Sequence, residues 1–473
     1  MLAIRICCFS VMALLALELA GCGGSSSSNS TGPITSSLGT WTWMTGSKLN
    51  DQMGLYGSLG IPSASNSPGA RVAPFTFTDF SGNFWLFGGN GMAGVFQAGD
   101  LNDLWKYSGG QWTWMGGSNA TEAKGVYGTE SVPSPGNWPG ARWIGVSWTD
   151  SAGNFWIFGG LGIDSAGNRG TMNDLWRYSN GQWTWMSGSN IASSSNAPIP
   201  GVYGVKGTAA PGNVPGDRAN AMSWADAAGN LWLFGGLGDD ANGNTGLLND
   251  LWKYSNGDWT WMGGVNTGNQ PGSYGTLGVA VPGNVPGARA NGVTWTDASG
   301  NLWLFGGEGY DSTGTCAQSP CILNDLWKYS NGAWAWIGGS NLIDTPGTYG
   351  TQGISGSKNT PGARSEAVSW IDAAGNLWLF GGIGLDSMDN YGELNDLWKY
   401  SGGQWTWMAG ANEIAQLGVY GTQGSASANN VPGARDWEAG WTDKAGNLWL
   451  FGGEDNFSIP HGGFFNDLWE YKP

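Results

Sequence analysis

Short apolar runs alternate with clusters of glycine, asparagine and aspartate along most of the chain, and no stretch shows the periodicity of an amphipathic helix. One unit contains four predicted strands, which we name a to d: 289–296, 302–305, 324–330 and 334–337. Strand b reads Leu-Trp-Leu-Phe and is apolar throughout, as expected of a strand that is buried on both faces. Turn-forming residues, such as the pair Asn331-Gly332, separate the strands. We expect Gly306-Gly307 to open a longer loop between strands b and c.

The same unit occurs six times. The motif Trp-x-Trp of strand d recurs at intervals of 71 to 76 residues, and Asn-Asp-Leu-Trp of strand c recurs in step with it. The first tryptophans of the six Trp-x-Trp motifs are Trp41, Trp112, Trp183, Trp259, Trp334 and Trp405. Two insertions explain the longer intervals, one near 193–198 and one around Cys316 and Cys321. Because the segment between strands d and a otherwise keeps its length, we expect it to be an ordered cap.

Six four-stranded units predict an all-β chain folded as a six-bladed β-propeller with antiparallel blades. The order of strands in the units also predicts how the propeller closes. The chain begins with a d-type strand at 41–44 and ends with a c-type strand at 466–471. We therefore expect the N-terminal strand to complete the last blade, which removes an exposed sheet edge.

At the level of motifs, the units resemble the kelch-repeat superfamily. The resemblance rests on the Gly-Gly after strand b, on Asn-Asp-Leu-Trp-Lys-Tyr in strand c and on the tryptophan that follows, and it covers 41–473. It implies a propeller like the central domain of galactose oxidase, although a unit of 71 residues exceeds the usual kelch repeat of about 50. Kelch propellers include a sialic acid mutarotase and many protein-binding modules. A galactose-oxidase copper site needs two histidines, and the chain has only His461, so that activity is excluded.

Composition narrows the function further. The net charge of −16 argues against nucleic-acid binding, because nucleic-acid-binding proteins normally carry a basic patch. Thirty-two tryptophans and 40% hydrophobic residues predict a packed fold despite 85 glycines. A single histidine excludes sites that require several histidines. We expect neither a metal nor another cofactor.

The N-terminus predicts export and lipid anchoring. Residues 1–21 have a positive start and a short apolar run, which is typical of a secretory signal. Leu19-Ala20-Gly21-Cys22 resembles a bacterial lipobox, in which Cys22 is lipidated; the alternative is an ordinary signal peptide with a chance cysteine. Residues 22–40 then form a Gly/Ser-rich tether and 41–473 the propeller. We expect a monomer anchored to the bacterial cell envelope, with the outer membrane as the expected site.

Two cysteines, Cys316 and Cys321, remain within the propeller, both in the second insertion. In an exported protein this pair predicts a disulfide. A metal site is disfavoured, because no histidine or further cysteine completes four ligands.

One arginine per unit stands in the motif Pro-Gly-x-Arg at the start of strand a. The six are Arg71, Arg142, Arg218, Arg289, Arg364 and Arg435. We expect them at the axis, on the face that carries the long d–a and b–c connections, near the aspartates of Asn-Asp-Leu-Trp. Two interpretations stay open: Arg–Asp pairs that hold the blades together, which sixfold repetition favours, and an anion-binding collar.

A binding site in a repeat protein is expected where the repetition breaks, and the residues just after each arginine vary. The candidates for ligand binding, besides the arginines, are Trp143, Asn220, Asn291, Glu366, Asp436, Trp437 and Glu438. The alternative is that these side chains only fill the channel. For the acidic residues of the b–c loops we favour a role in turns over calcium binding, because Asp240-x-Asn242-x-Asn244 resembles a calcium loop but lacks the later glutamate. These residues are Asp164, Asp239, Asp240, Glu308, Asp311, Asp386, Asp389, Glu393, Glu454 and Asp455.

Two functions follow as hypotheses. The first is a membrane-anchored, non-catalytic scaffold that binds a protein or a glycan at the cell surface. The second, implied by the resemblance, is an extracytoplasmic carbohydrate-active enzyme similar to a kelch-type sugar mutarotase or epimerase. An enzyme needs an asymmetric acid–base pair in a pocket. Within strand a, Glu366 with Glu438 or Asp436 is the candidate pair.

Overall fold

A computed structural model describes residues 38–95, 97–316, 321–457 and 462–473. The predicted signal peptide, Cys22, nearly all of the tether and His461 lie outside these ranges. Within them, no helix is long and apolar enough to cross a membrane.

Six antiparallel blades make up the described chain. Strand a begins with a two-residue piece in five blades: Arg71–Val72, Arg142–Trp143, Arg218–Ala219, Arg289–Ala290 and Arg364–Ser365. Its main piece is the innermost strand of each blade: Phe75–Thr78, Val146–Thr149, Met222–Ala225, Val293–Thr296, Val368–Ile371 and Ala439–Thr442. Strand b is continuous in four blades and divided in the last two: Phe84–Met92, Phe155–Ile163, Leu231–Asp239, Leu302–Gly309, Leu377–Phe380 with Ile383–Leu385, and Leu448–Phe451 with Glu454–Asp455.

The outer half of each blade consists of strands c and d. Strand c is Ala98–Ser108, Arg169–Ser179, Thr245–Ser255, Ile322–Ser330, Tyr391–Glu393 with Leu397–Ser401, and Gly463–Phe464 with Leu468–Lys472. Strand d is Gln111–Gly116, Gln182–Ser187, Asp258–Gly263, Ala333–Gly338, Gln404–Ala409 and, for the sixth blade, Thr40–Thr45.

The blades surround one axis. Each innermost strand contacts the innermost strands of the preceding and following blades, and Ala439–Thr442 contacts Phe75–Thr78 to complete the circle. Side-chain hydroxyls link these neighbours: Thr294 Oγ1 donates to the carbonyl oxygen of Ser223 at 2.9 Å, and Ser369 Oγ donates to that of Thr294 at 3.1 Å. The predicted six-bladed β-propeller is confirmed.

The N-terminal strand closes the last blade, as predicted. Thr40–Thr45 pairs antiparallel with Leu468–Lys472, with Trp41 opposite Tyr471 and Trp43 opposite Trp469. Trp41 is only 1% exposed and packs against Tyr471 with ring centroids 5.0 Å apart. Burying such a ring stabilises the fold by roughly 1.5–3 kcal/mol, so the closure is a packed interface as well as a ladder.

The predicted position of the loop between strands b and c, directly at Gly-Gly, is wrong. Strands b and c continue to pair beyond it, from Gly307 opposite Leu323 to Glu308 opposite Ile322 in the fourth blade. The two glycines form a bulge in which both have positive φ, 65° and 98° for Gly306 and Gly307. A Cβ atom on Gly306 would lie 2.7 Å from the carbonyl oxygen of Arg364 in the next blade. The glycines therefore allow close approach of neighbouring blades.

The segment between strands d and a is ordered, as expected. In the first blade, Asn66 Nδ2 donates to the carbonyl oxygens of Ile61 and Trp112, and the Gly60 amide donates to the Trp114 carbonyl. The segment thus covers the outer edge of strand d and leaves fewer backbone groups free for edge pairing.

Candidate functional site

The six arginines are structural. Arg71 is fully buried and donates from Nη1 and Nη2 to the two carboxylate oxygens of Asp103 at 2.7 and 2.8 Å, while Nε donates to the Gly69 carbonyl. Tyr56 Oη and Trp105 Nε1 donate to the same carboxylate. The same pairing recurs at 2.6–2.7 Å in every blade: Arg142–Asp174, Arg218–Asp250, Arg289–Asp325, Arg364–Asp396 and Arg435–Asp467.

This arrangement corrects the expectation that the arginines bind a ligand. Their side chains are at most 1% exposed, and the paired carboxylates are fully buried. An anion at the axis would have to displace a bidentate carboxylate from a buried guanidinium. The interpretation as pairs that hold the blades together is the one that fits.

Strand a, expected to be continuous, breaks two residues after each arginine. The residue at the break has positive φ in all six blades: Ala73 at 45°, Ile144 at 50°, Asn220 at 58°, Asn291 at 60°, Glu366 at 63° and Trp437 at 58°. Asparagine tolerates this left-handed conformation, whereas the other four residue types rarely adopt it. The surrounding structure must therefore hold them in place.

A closed circle of hydrogen bonds provides that support. The amide of each residue at the break donates to the carbonyl of its counterpart in the preceding blade, at 2.7–3.4 Å, and Ala73 completes the circle by donating to Trp437. We call these six residues the axial peptide ring. The ring brings Asn220, Asn291, Glu366 and Trp437, four of the predicted site residues, to one level of the axis.

A pocket of about 170 Å³ lies at this level. All six ring residues line it, together with Glu438. Trp143 stands beside Trp437 with ring centroids 6.3 Å apart in an edge-to-face arrangement, so these two predicted residues also meet. Nearer the opposite face, the innermost strands surround a second cavity of about 390 Å³, which threonine and serine side chains such as Thr76 and Ser147 line.

Glu366 is the central acid of the axial pocket. Its Oε1 accepts a 3.1 Å hydrogen bond from Asn291 Nδ2. Burial raises the pKa of Glu366 to about 8, with further contributions from the negative charges of Glu308, Glu454 and Glu393. The carboxyl is therefore largely protonated at neutral pH and responds to any charge that enters the pocket.

Asp436 and Glu438 flank Trp437 and differ in surroundings. Asp436 is 3% exposed, its Oδ1 has no hydrogen-bond partner, and burial raises its pKa well above the usual value. Both carboxyl oxygens of Glu438 are also buried without a partner, and burial raises its pKa strongly. Glu438 Oε1 lies next to Gly381, so its carboxyl is inserted between the last two blades. These are the blades whose b and c strands are divided.

Three acids assigned to turns stand in paired segments instead, and their charges act on Glu366 in the pocket. Glu308 pairs with Ala290, and Glu454 forms a bridge with Asp436, both directly after Gly-Gly. Glu393 is fully buried; Oε1 accepts the Asn456 amide at 2.8 Å and Oε2 has no partner. Burial raises the pKa of Glu393 to about 7. Each of these three glutamates stands at a fixed distance along the sequence from Gly-Gly or from Asn-Asp-Leu-Trp. This distance is the sequence signal that identifies positions near the axial site.

Several other loop acids are turn formers, as expected. Asp164 Oδ1 accepts the amides of Ala166, Gly167 and Asn168, and these hydrogen bonds lower its pKa. Asp240, Asp311 and Asp386 accept backbone amides in the same way. The turns between strands a and b are also built on aspartate, since Asp79 accepts from the amides of Ser81 and Asn83 and from Trp85 Nε1.

The site is polarised across the axis. Glu308, Glu366, Glu393, Asp436, Glu438 and Glu454 all belong to the fourth, fifth and sixth blades. At the position directly after Gly-Gly, the second and third blades carry Leu161 and Leu237 in place of glutamate. Within the described ranges, no group of three or more acids, cysteines or histidines is arranged to hold a metal ion. The first and second blades contribute Ala73, Pro74, Ile144 and Gly145 to the pocket and no acid, so its acidic lining comes from the fifth and sixth blades.

The predicted disulfide is present, since the structure joins Cys316 and Cys321, whose Cα atoms lie 5.3 Å apart.

Fold and site together define a six-bladed β-propeller with an acidic and aromatic pocket at one end of its axis. No protein-family model and no curated protein matches the sequence. Among solved structures, one described as the structure of YjhT is 13% identical, with a TM-score of 0.47 over 87% of this chain and 95% of that chain. A fungal alcohol oxidase in complex with copper is 13% identical, with a TM-score of 0.42 over 85% and 62%. A protein of unknown function from Bacteroides thetaiotaomicron is 9% identical, with a TM-score of 0.45 over 92% and 75%.

Proposed function

We propose that this propeller binds a carbohydrate in the axial pocket and is not itself a catalyst. The observation that carries the proposal is the convergence of the residues that break the repeat. Six blades of one design would present six equivalent surfaces, whereas here Asn220, Asn291, Glu366 and Trp437 line one pocket and Trp143 packs against Trp437. Such a concave site with aromatic faces and a few polar groups is typical of small-ligand binding.

The chemistry of the pocket suits a sugar. Trp437 lines the pocket and offers an apolar ring against which the C–H face of a pyranose can pack, and Trp143 packs edge-to-face against it. Asn220, Asn291 and Glu366 offer oxygen atoms that can accept hydrogen bonds from hydroxyl groups. The volume of about 170 Å³ is below the range of roughly 300–1,000 Å³ of typical ligand pockets. It therefore favours one terminal sugar residue over the broad surface of a protein partner.

A second candidate function is supported by the raised pKa of Glu366. A carboxyl with a pKa of about 8 is poised to transfer protons near neutral pH, which a sugar mutarotase or epimerase requires. In that case Glu366 is the proton-transfer group, and Asn291, which donates to its Oε1, positions it. This function differs from simple binding by one measurable property, turnover.

The proposal also states where in the cell the protein acts. We propose that Cys22 carries the lipid anchor, that the protein acts as a monomer at the bacterial cell envelope, and that its partner is a surface glycan. An extracellular sugar ligand is compatible with such a placement. The strongly acidic composition supports the expectation that nucleic acid is not a partner.

A glycan array followed by calorimetric titration tests the binding function. With the best array ligand, Trp437→Ala is expected to weaken binding by about tenfold or more, since loss of a buried aromatic contact costs at least about 1.4 kcal/mol. Phe80→Ala is the matched control, because Phe80 is 69% exposed in the turn between strands a and b. Equal weakening by both variants, or none by Trp437→Ala in folded protein, would contradict the assignment of the pocket.

The same ligand decides between binding and catalysis. NMR exchange spectroscopy measures whether the protein accelerates interconversion of sugar anomers or epimers. Binding without acceleration supports the non-catalytic function. Acceleration that Glu366→Gln abolishes, while binding persists, would establish the enzyme instead.

A further inference from the structure

Hydrogen-bond acceptors greatly outnumber donors around the axial pocket. Six buried oxygen atoms of the site have no partner: Asn220 Oδ1, Asn291 Oδ1, Glu393 Oε2, Asp436 Oδ1, and Oε1 and Oε2 of Glu438. One buried donor of the site, Trp143 Nε1, is also without a partner. Asn220, Asn291 and Glu438 line the pocket, so their unpartnered oxygens face a bound ligand, whereas Glu393 at 0% and Asp436 at 3% exposure act from outside its lining. A buried acceptor that lacks a donor costs about 1–3 kcal/mol, so the site favours a ligand rich in donors.

The negative charge around the pocket also favours a ligand rich in hydrogen-bond donors. Glu308, Glu454 and Glu393 each raise the pKa of Glu366, which places each of these three carboxyls within electrostatic reach of Glu366. The nearby cation Arg435 is committed to Asp467 through two hydrogen bonds of 2.7 and 3.0 Å. Arg435 also lowers the pKa of Glu438, but burial outweighs this effect, so an incoming cation would add stabilisation there.

Resting on the proposed carbohydrate-binding function, we propose that the bound sugar carries a free, positively charged amino group, and so is an amino sugar. An ammonium group has three donors and no acceptor, which matches the unpartnered oxygens. Its hydrogen bonds to carboxylates are about twice as strong as neutral ones. The aromatic ring of Trp437, which lines the pocket, adds attraction for a cation.

The same geometry selects against related sugars. An acidic sugar would bring a further negative charge into a poorly solvated site whose own acids already raise the pKa of Glu366, and such a charge is destabilised there. N-acetylation removes the charge of the amine and leaves a single N–H donor. The inference therefore predicts different affinities for amino, N-acetylated and acidic sugars that have the same ring.

The test compares a glucosamine tetramer with the N-acetylglucosamine tetramer of the same linkage, by calorimetric titration of the intact protein. The free amine is expected to bind about tenfold more tightly or better, as one charge-assisted hydrogen bond contributes roughly 1.5–3 kcal/mol. Glu366→Gln and, independently, Glu454→Gln are expected to reduce this preference to about threefold or less, with unchanged circular dichroism. Glu130→Gln is the matched control, since Glu130 is exposed on the outer d–a segment.

The outcomes separate the two proposals. Equal affinity for both tetramers, or a preference that Glu366→Gln and Glu454→Gln leave intact, overturns the amine inference and leaves carbohydrate binding in place. Failure of every sugar on the array to bind overturns both. Binding of a lysine tripeptide with no sugar binding also overturns both, because the ammonium group would then come from a protein.

Discussion

The backbone amide of Ala73 donates a 2.8 Å hydrogen bond to the carbonyl oxygen of Trp437. This bond joins the first and last blades at the axis, while the ladder between Thr40–Thr45 and Leu468–Lys472 joins the chain termini at the perimeter. Because each peptide of the axial ring is bonded on both sides, residues such as Glu366 and Trp437 are held in a left-handed conformation. The ring therefore positions the side chains of the candidate site.

We expect closure of the last blade by the N-terminal strand to make a dominant contribution to the free energy of unfolding. Trp41→Ala is expected to lower the free energy of unfolding by about 3–5 kcal/mol, because a nearly inaccessible indole between Phe380, Trp469 and Tyr471 leaves a large cavity. Chemical denaturation measures the change. Leu38→Ala, at a half-exposed residue just outside the ladder, should stay within about 0.5 kcal/mol of the parent. An unchanged midpoint for Trp41→Ala would mean that the N-terminal strand is dispensable.

The buried ion pairs should be costly to break and irrelevant to binding once the protein is folded. Arg142→Met leaves the carboxylate of Asp174 buried and unpaired, which is expected to cost about 3–5 kcal/mol. Lys328→Met, which removes a partly exposed partner 4.0 Å from Asp297, should cost less than about 1 kcal/mol. Unfolding curves measure both, and titration with the array ligand completes the test. A folded Arg142→Met protein that has lost ligand binding would restore the arginines as ligand contacts.

A buried acid outside the pocket should make stability depend on pH. Asp217 occupies the position that is alanine in the other five Pro-Gly-x-Arg motifs. It is 1% exposed, and its Oδ2 accepts a 2.5 Å hydrogen bond from Ser193 Oγ. Burial raises its pKa to about 6; Ser193 and Thr171 oppose the shift, and Asp239 adds to it.

Between the usual pKa of 3.8 and about 6, the native state therefore binds more protons at Asp217 than the unfolded state. The contribution of this group to the free energy of unfolding should fall by about 3 kcal/mol as pH rises from about 4 to about 6, and then stay constant. Asp217→Asn should remove this contribution from the pH dependence between pH 4 and 6, whereas the buried acids of the axial site continue to contribute at higher pH. Asp226→Asn should have the opposite effect, since hydrogen bonds lower the pKa of Asp226 and its contribution grows with pH. An unchanged slope in Asp217→Asn would disprove the assignment.

The disulfide should matter only locally. It closes a very short loop within an insertion, so replacing Cys316 and Cys321 by serine is expected to lower stability by about 2 kcal/mol or less. Peptide mapping without reductant should recover the two cysteines linked. Two free thiols in protein from an oxidising compartment would contradict the pairing.

The lipid anchor rests on Cys22 alone. Cys22→Ala is expected to abolish incorporation of labelled palmitate and to move the protein from the membrane fraction to the soluble fraction, because acyl chains contribute about 0.8 kcal/mol per buried CH₂. A serine-to-alanine change at Ser25 in the tether serves as the control. Membrane association that survives Cys22→Ala would refute the anchor.

Local sequence patterns were sufficient for the blades. Apolar strands, Asn-Gly turns and the constant offsets between Trp-x-Trp and Asn-Asp-Leu-Trp act over a few residues, and these short-range rules predict four strands per unit. The d-type start and c-type end predict the closure that Trp41 and Tyr471 make. The variable residues after each arginine correctly indicated Asn291, Glu366 and Trp437 as neighbours at the axis.

Tertiary structure decided which of those residues are neighbours, how deeply they are buried and which backbone conformation they adopt. Glu308, Glu393 and Glu454 stand in loops that resemble the turns built on Asp164 and Asp240, yet they lie beside Glu366 once the circle is closed. The sequence left two interpretations open for the arginines, and the structure decided between them by burying each one against the aspartate of its own blade. The physical reason is that turn and strand preferences arise within a few residues, whereas burial, charge proximity and the left-handed φ of the axial ring depend on six blades meeting around one axis.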